Sequence, residues 1–67
     1  MASKTFETEY FGTIIVRNAM FESENGTDLF EGIELKDESG NLVEVEGYRD
    51  IDEMSTDEVE GIFGKYF

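Results

Sequence analysis

Apolar and polar positions alternate through two stretches on either side of Asn25-Gly26, a pair suited to a two-residue type I′ hairpin turn. With Glu24 and Thr27 flanking that turn, Val16 faces Leu35, Arg17 faces Glu34 and Phe21 faces Phe30. Each pairing is chemically matched, which specifies the register. One face then carries Ile14, Val16, Met20, Leu29, Ile33 and Leu35 and is the expected core. The other carries Ile15, Arg17, Phe21, Phe30, Glu34 and Lys36 and stays open. Strands are expected near 12–23 and 28–37.

A second turn falls in Asp37-Glu38-Ser39-Gly40-Asn41. A two-residue Ser39-Gly40 loop would set Leu35 against Glu44 and waste a core position. A three-residue Ser39-Gly40-Asn41 loop pairs Leu35 with Val45 and Lys36 with Glu44, and is preferred because a one-residue slip inverts both faces. The third strand then runs near 42–48 with Val43 and Val45 inward. Residues 4–11 also alternate, through Phe6, Thr8 and Tyr10, and can extend the first strand with Gly12 as a kink or bulge.

Beyond the strands the period changes. Ser55 and Glu58 match a capping box, and Met54 with Val59 fits the hydrophobic staple around it. Val59, Ile62, Phe63 and Tyr66 follow helical spacing. Asp57 and Glu58 in the first turn and Lys65 at the end suit the helix dipole. Gly61 and Gly64 each weaken this helix by roughly 1 kcal/mol relative to Ala, so it depends on packing against the sheet. The expected fold is α+β: a three-stranded antiparallel meander with one C-terminal α-helix on one face, a single domain over residues 1–67.

Charge changes this picture more than any motif does. The chain has 17 Asp and Glu against 5 Lys and Arg, a net charge of −12, and no His or Cys. High charge is a signature of disorder, but aromatic content of 13% in patterned segments argues for a folded chain. No apolar run approaches the ~20 residues of a membrane span and no signal-peptide apolar region opens the sequence, so a soluble, cytoplasmic protein is expected. Without His or Cys there is no imidazole base, thiol nucleophile, disulfide or zinc site.

Catalysis and cofactors are not expected. Carboxylate pairs need a cleft to tune them, and this chain has little volume for one. The segments 37–41 and 50–53 look superficially like calcium loops, but neither has the twelve-residue alternation of oxygen ligands. A hairpin turn and an acidic helix lead-in explain them, so no dedicated metal site is expected.

The acids themselves are the candidate site. Twelve of the 17 fall between Glu31 and Glu60. On the open face Glu34 and Glu46 are expected across from each other with Glu44 alongside. Beyond the sheet come Asp50, Asp52, Glu53, Asp57, Glu58 and Glu60, six acids in eleven residues. Solubility alone asks for a net charge of magnitude about 2–8 in a small domain, and this chain exceeds it. Nucleic acid and anionic membranes repel such a surface, whereas a basic nucleic-acid-binding protein attracts it. Alternate residues of a strand lie about 6.6 Å apart, comparable with successive phosphates. Glu44 with Glu46, and Glu34 with Lys36 between it and the acidic turn, can therefore present a coarse copy of a phosphate row; with the six acids named beyond the sheet they make nine candidate partner-binding residues.

In size, charge and β-rich pattern the whole chain resembles the small, strongly acidic inhibitors encoded by phages. Members of that class mimic DNA to block restriction enzymes, uracil-DNA glycosylase or host transcription, and the chain is most similar to the acidic anti-CRISPR proteins. These families share no motif, so the resemblance transfers no individual residue. It implies a protein of the bacterial host cytoplasm, monomeric or weakly dimeric, that occupies the site where a CRISPR effector's DNA-recognition subunit first grips its target. The contrasting expectation is a small phage or bacterial structural or regulatory domain that self-associates through a sheet edge or the Phe21/Phe30 patch.

Overall fold

A computed structural model describes residues 3–47 and 49–67. Four strands, not three, form one antiparallel sheet in the order β1 (Ser3–Thr8), β2 (Gly12–Glu22), β3 (Leu29–Asp37) and β4 (Leu42–Glu46). A single 3-10 turn (Ile51–Glu53) and the helix α1 (Thr56–Gly64) follow. Residues 4–11 do not extend the next strand. They double back on it, Phe6 facing Ile14 and Lys4 facing Val16, through a tight turn at residues 9–11.

The β2–β3 register is the expected one: Val16 faces Leu35, Arg17 faces Glu34 and Phe21 faces Phe30. The turn differs. Four residues, Glu24 to Thr27, form the loop, closed by the Ser23 N–H donating to the Asp28 carbonyl at 2.9 Å. A type I′ turn needs positive φ at both central residues, yet only Gly26 has it (72°). The Asn25 side chain is engaged elsewhere, accepting from the Thr27 hydroxyl at 2.8 Å. Lengthening a loop by one residue on each side leaves every cross-strand pair unchanged, so the register survives the wrong turn type.

The β3–β4 register is shifted by two from expectation. Leu35 faces Val43 rather than Val45, Ile33 faces Val45, and Lys36 faces Leu42 rather than Glu44. Asp37 is the cause. Its carboxylate accepts from the Ser39 N–H (3.0 Å), the Asn41 N–H (2.8 Å) and the Asn41 side-chain amide (3.0 Å), so Asn41 closes the turn instead of lying inside it. A shift of two keeps the faces, and Val43 still points inward. β4 ends at Glu46, and the expected last strand residue, Tyr48, lies outside the described residues.

The Asn41 side-chain amide, and then the backbone N–H groups of Asn41, Ser39 and Gly40, hold the Asp37 carboxyl below its ordinary value. A depressed carboxyl stabilises the fold above its unfolded pKa of about 3.9 and loses that contribution as pH falls through the lower folded value. The stability difference between the parent and Asp37→Ala should thus be full at pH 7 and shrink on acidification below pH about 4. Paired thermal melts across that range measure it, and a difference independent of pH would mean the charge does not hold the turn.

Helix and 3-10 turn cover one sheet face. Phe6, Ile14, Val16, Ile33, Leu35 and Val43 from the strands meet Ile51, Met54, Val59 and Phe63 in one core that, among the described residues, contains no polar or charged side chain. Ser55 caps α1 as expected, its hydroxyl accepting from the Glu58 N–H at 3.2 Å. The Glu58 carboxylate does not complete the box but lies 3.6 Å from Arg49. Phe63, fully buried, meets Phe11 edge-on at 5.1 Å and stacks with Phe67 at 4.9 Å. Tyr66, expected on the apolar helix face, is exposed.

Two expected core residues are not in the core. Met20 and Leu29 are 55% and 63% exposed. The Asn18 side-chain amide donates to the Arg49 carbonyl at 3.3 Å. The pairs Met20–Glu31 and Glu22–Leu29 lie beyond Asn18, toward the turn of the β2–β3 hairpin. On the open face Phe21 lies over Gly32, where a Cβ would come within 2.5 Å of the ring and also meet the Val45 carbonyl. Ile15, Phe30 and Leu42 are exposed there, as expected for an uncovered face.

Candidate functional site

The nine candidate acids do not form one surface. The sheet divides them: Glu34, Glu44 and Glu46 stand on the open face, and Asp50 to Glu60 belong to the layer that covers the other.

On the open face the register shift changes the neighbours. Glu34 lies across from Glu44, not Glu46, and Glu46 lies across from Gly32. The destabilising like-charge pair is therefore Glu34–Glu44. Arg17 relieves it from the other side, its Nε 2.8 Å from the Glu34 carboxylate. Ile15, Arg17, Glu34 and Lys36 line a shallow depression of about 240 Å³, so this part of the face is mixed rather than acidic. Of the candidate acids on this face, Glu44 and Glu46, on β4, are exposed and in no ion pair among the described residues.

In the covering layer the six acids have unequal roles. Asp50 caps the 3-10 turn, its carboxylate accepting from the Asp52 N–H at 3.1 Å. The Asp52 backbone carbonyl accepts from the Lys4 ammonium at 3.4 Å, tying this turn to β1. Arg49 and Glu58 pair beside a second depression of about 240 Å³ lined also by Asp50, Glu53 and Met54. Asp52, Glu53 and Asp57 project into solvent, their carboxylates in no ion pair or hydrogen bond among the described residues.

Glu60 is a structural residue rather than part of a free acidic surface. Its carboxylate accepts from the N–H groups of Glu9 (3.1 Å) and Tyr10 (3.2 Å), closing the β1–β2 turn from the helix. Sequence reasoning missed this because the partners lie some fifty positions away. The 9–11 turn, with no side-chain acceptor placed to cap both donors, was the available hint. Glu60→Ala should cost about 1–2 kcal/mol in urea unfolding and Glu60→Gln less, because its amide oxygen still accepts. Glu53→Ala should be near neutral in the same assay.

Among the described residues no three acidic side chains converge in an arrangement able to hold a metal ion. Nor is any helix there long and apolar enough to cross a membrane. Comparison with models of protein families, with curated proteins and with solved structures finds no match to this chain.

Proposed function

We propose that this protein is an acidic inhibitor that binds the basic DNA-binding surface of another protein and competes with DNA. The form that its size and charge favour is an anti-CRISPR protein acting on the DNA-recognition part of a CRISPR effector. One observation carries the reading: among the described residues the core holds no charged residue, so the whole net charge of −12 lies on a surface of 4585 Å². That is about one uncompensated negative charge per 380 Å², a field strong enough to steer a basic partner. Only two of the five basic side chains sit in ion pairs among the described residues, so internal compensation is small.

The division of the acids refines the mechanism. Asp52, Glu53 and Asp57 form the group freest to meet a partner's Arg and Lys, with Asp50 and Glu58 beside them; Glu44 and Glu46 form a second group on the far layer. A partner that reads one group need not touch the other. Competition is measured by titrating the protein into a CRISPR effector complex holding labelled target DNA. Direct binding to the DNA-free effector should weaken steeply between about 50 and 200 mM salt, over which the screening length shortens. Direct binding unchanged across that range would remove electrostatic mimicry as the mechanism.

A further inference from the structure

Among the described residues the outer edge of β4 is unpaired, and the bonding pattern says which residues own it. The Asp37 N–H donates to the Asn41 carbonyl (3.1 Å) and the Gly47 N–H to the Glu31 carbonyl (2.9 Å), which marks those as hydrogen-bonded pairs. Stepping by two along an antiparallel ladder makes Leu35–Val43 and Ile33–Val45 bonded pairs as well. Leu42, Glu44 and Glu46 therefore turn their N–H and C=O groups away from β3. The same three residues put their side chains on the open face and are exposed. On the other face Val45 is half-buried at the margin of the core.

We infer that β4 is a docking edge for an extended basic segment of a partner protein, one that alternates Lys or Arg with small apolar residues and adds to the sheet as a fifth strand. Backbone groups of Leu42, Glu44 and Glu46 would supply the ladder, as in strand addition generally. Basic side chains opposite Glu44 and Glu46 would form the cross-strand charge pairs that the sheet lacks there. Apolar residues on the opposite face would extend the core past Val43 and Val45.

Charge excludes the commoner occupant of an open edge. A second copy pairing antiparallel about its own centre would set Glu44 against Glu44 and Leu42 against Glu46. Acidic edges of this kind block self-association, and here they also select a basic guest. The opposite edge is less suited: β1 carries both Lys4 and Glu7, and the helix packs beside it. This inference stands apart from the DNA-competition reading, which rests on the total field and chiefly on Asp52, Glu53 and Asp57.

The test is a titration of the isotope-labelled full chain with a capped six-residue peptide alternating lysine and valine, followed by amide NMR. Chemical shifts of Leu42, Glu44 and Glu46 should move, and their amides should gain protection from hydrogen exchange. Methylating the peptide nitrogens that face β4 keeps its charge and removes its donors, and should weaken binding at least tenfold. A double variant, Glu44→Lys with Glu46→Lys, should lose the lysine peptide and accept a glutamate–valine one. Both side chains are exposed, and circular dichroism checks that the variant folds. Equal binding of the methylated peptide, or shifts centred on Asp52, Glu53 and Asp57, would overturn strand addition. So would concentration-dependent protection of the β4 edge in the chain alone, which would assign it to a second copy. None of these results bears on whether the chain displaces DNA.

Discussion

Phe63→Ala should abolish most of the folded population at room temperature, whereas Ile15→Ala should leave the chain folded. Phe63 is the largest of the fully buried side chains, and truncating such a residue costs about 3–5 kcal/mol. A domain of this size holds only about 3–10 kcal/mol of total stability, at 0.05–0.15 kcal/mol per residue. The loss is compounded because Phe63 bridges Phe11 on the sheet side and Phe67 beyond the helix. With those rings unsupported, α1, weakened by two glycines, is held mainly by buried Val59, the Ser55 cap and the Glu60 bonds to the β1–β2 turn among the described residues. Ile15 points the other way and is 47% exposed, so its truncation removes surface that water already reaches. Urea unfolding of both variants beside the parent decides it. Comparable losses would mean that the open face is covered in solution, and sedimentation of the parent would then show whether a second copy covers it.

The contrast between Phe63 and Ile15 is legible from spacing alone: helical spacing puts Phe63 on the apolar face of α1, and a two-residue period puts Ile15 on the open face of β2 whatever the turns do. The β3–β4 ladder makes the point: two positions out of register, it still delivers Val43 to the core, since only an odd slip inverts a strand. What periodicity does not carry is the extent of the covering layer. Met20 and Leu29 share the parity of Val16 and Leu35, yet they lie beyond Asn18, the residue bonded to the Arg49 carbonyl, and are exposed. The acids between them, Glu22 and Glu31, have the same parity and were the sign that this end is not buried. In the sequence β1 resembles an extension of the next strand, because its turn, Glu9-Tyr10-Phe11, lacks an Asn-Gly or Asp-Gly signal and takes its cap from Glu60 on the helix instead.

The candidate site was legible in composition and not in arrangement. The density of acids along residues 50–60 identified the charged segment. Which of them are free depends on capping and pairing that only the folded chain defines. Asp50 is engaged by the Asp52 N–H, Glu58 by Arg49 and Glu60 by the β1–β2 turn, and among the described residues of this segment Asp52, Glu53 and Asp57 are left as uncommitted charge.

Replacing Asp52, Glu53 and Asp57 with Lys should weaken binding to a basic DNA-binding partner by far more than replacing Glu22, Glu24 and Glu31 with Lys. The two triples raise the net charge by the same amount, so a diffuse field would treat them alike. Their positions differ: the first surrounds the 3-10 turn and the start of α1, and the second marks the turn end of the β2–β3 hairpin, in a molecule 39 Å long. Asp50 is left out because its carboxylate caps the 3-10 turn, and Glu9 is no remote control because its N–H is bonded to Glu60. Breaking a charge pair that loses water on binding costs about 2–5 kcal/mol, at least some thirtyfold in affinity for a single pair, while rim charges alter mainly the association rate. The first triple should therefore raise the dissociation rate, and the second should slow association only. Both rates come from surface-immobilised effector with and without DNA, once circular dichroism has shown that each triple folds. Equal losses would assign the effect to total charge. Intact binding of both, with DNA still displaced, would transfer the contact to the exposed aromatic side of the open face, where Phe21 and Phe30 become the residues to truncate.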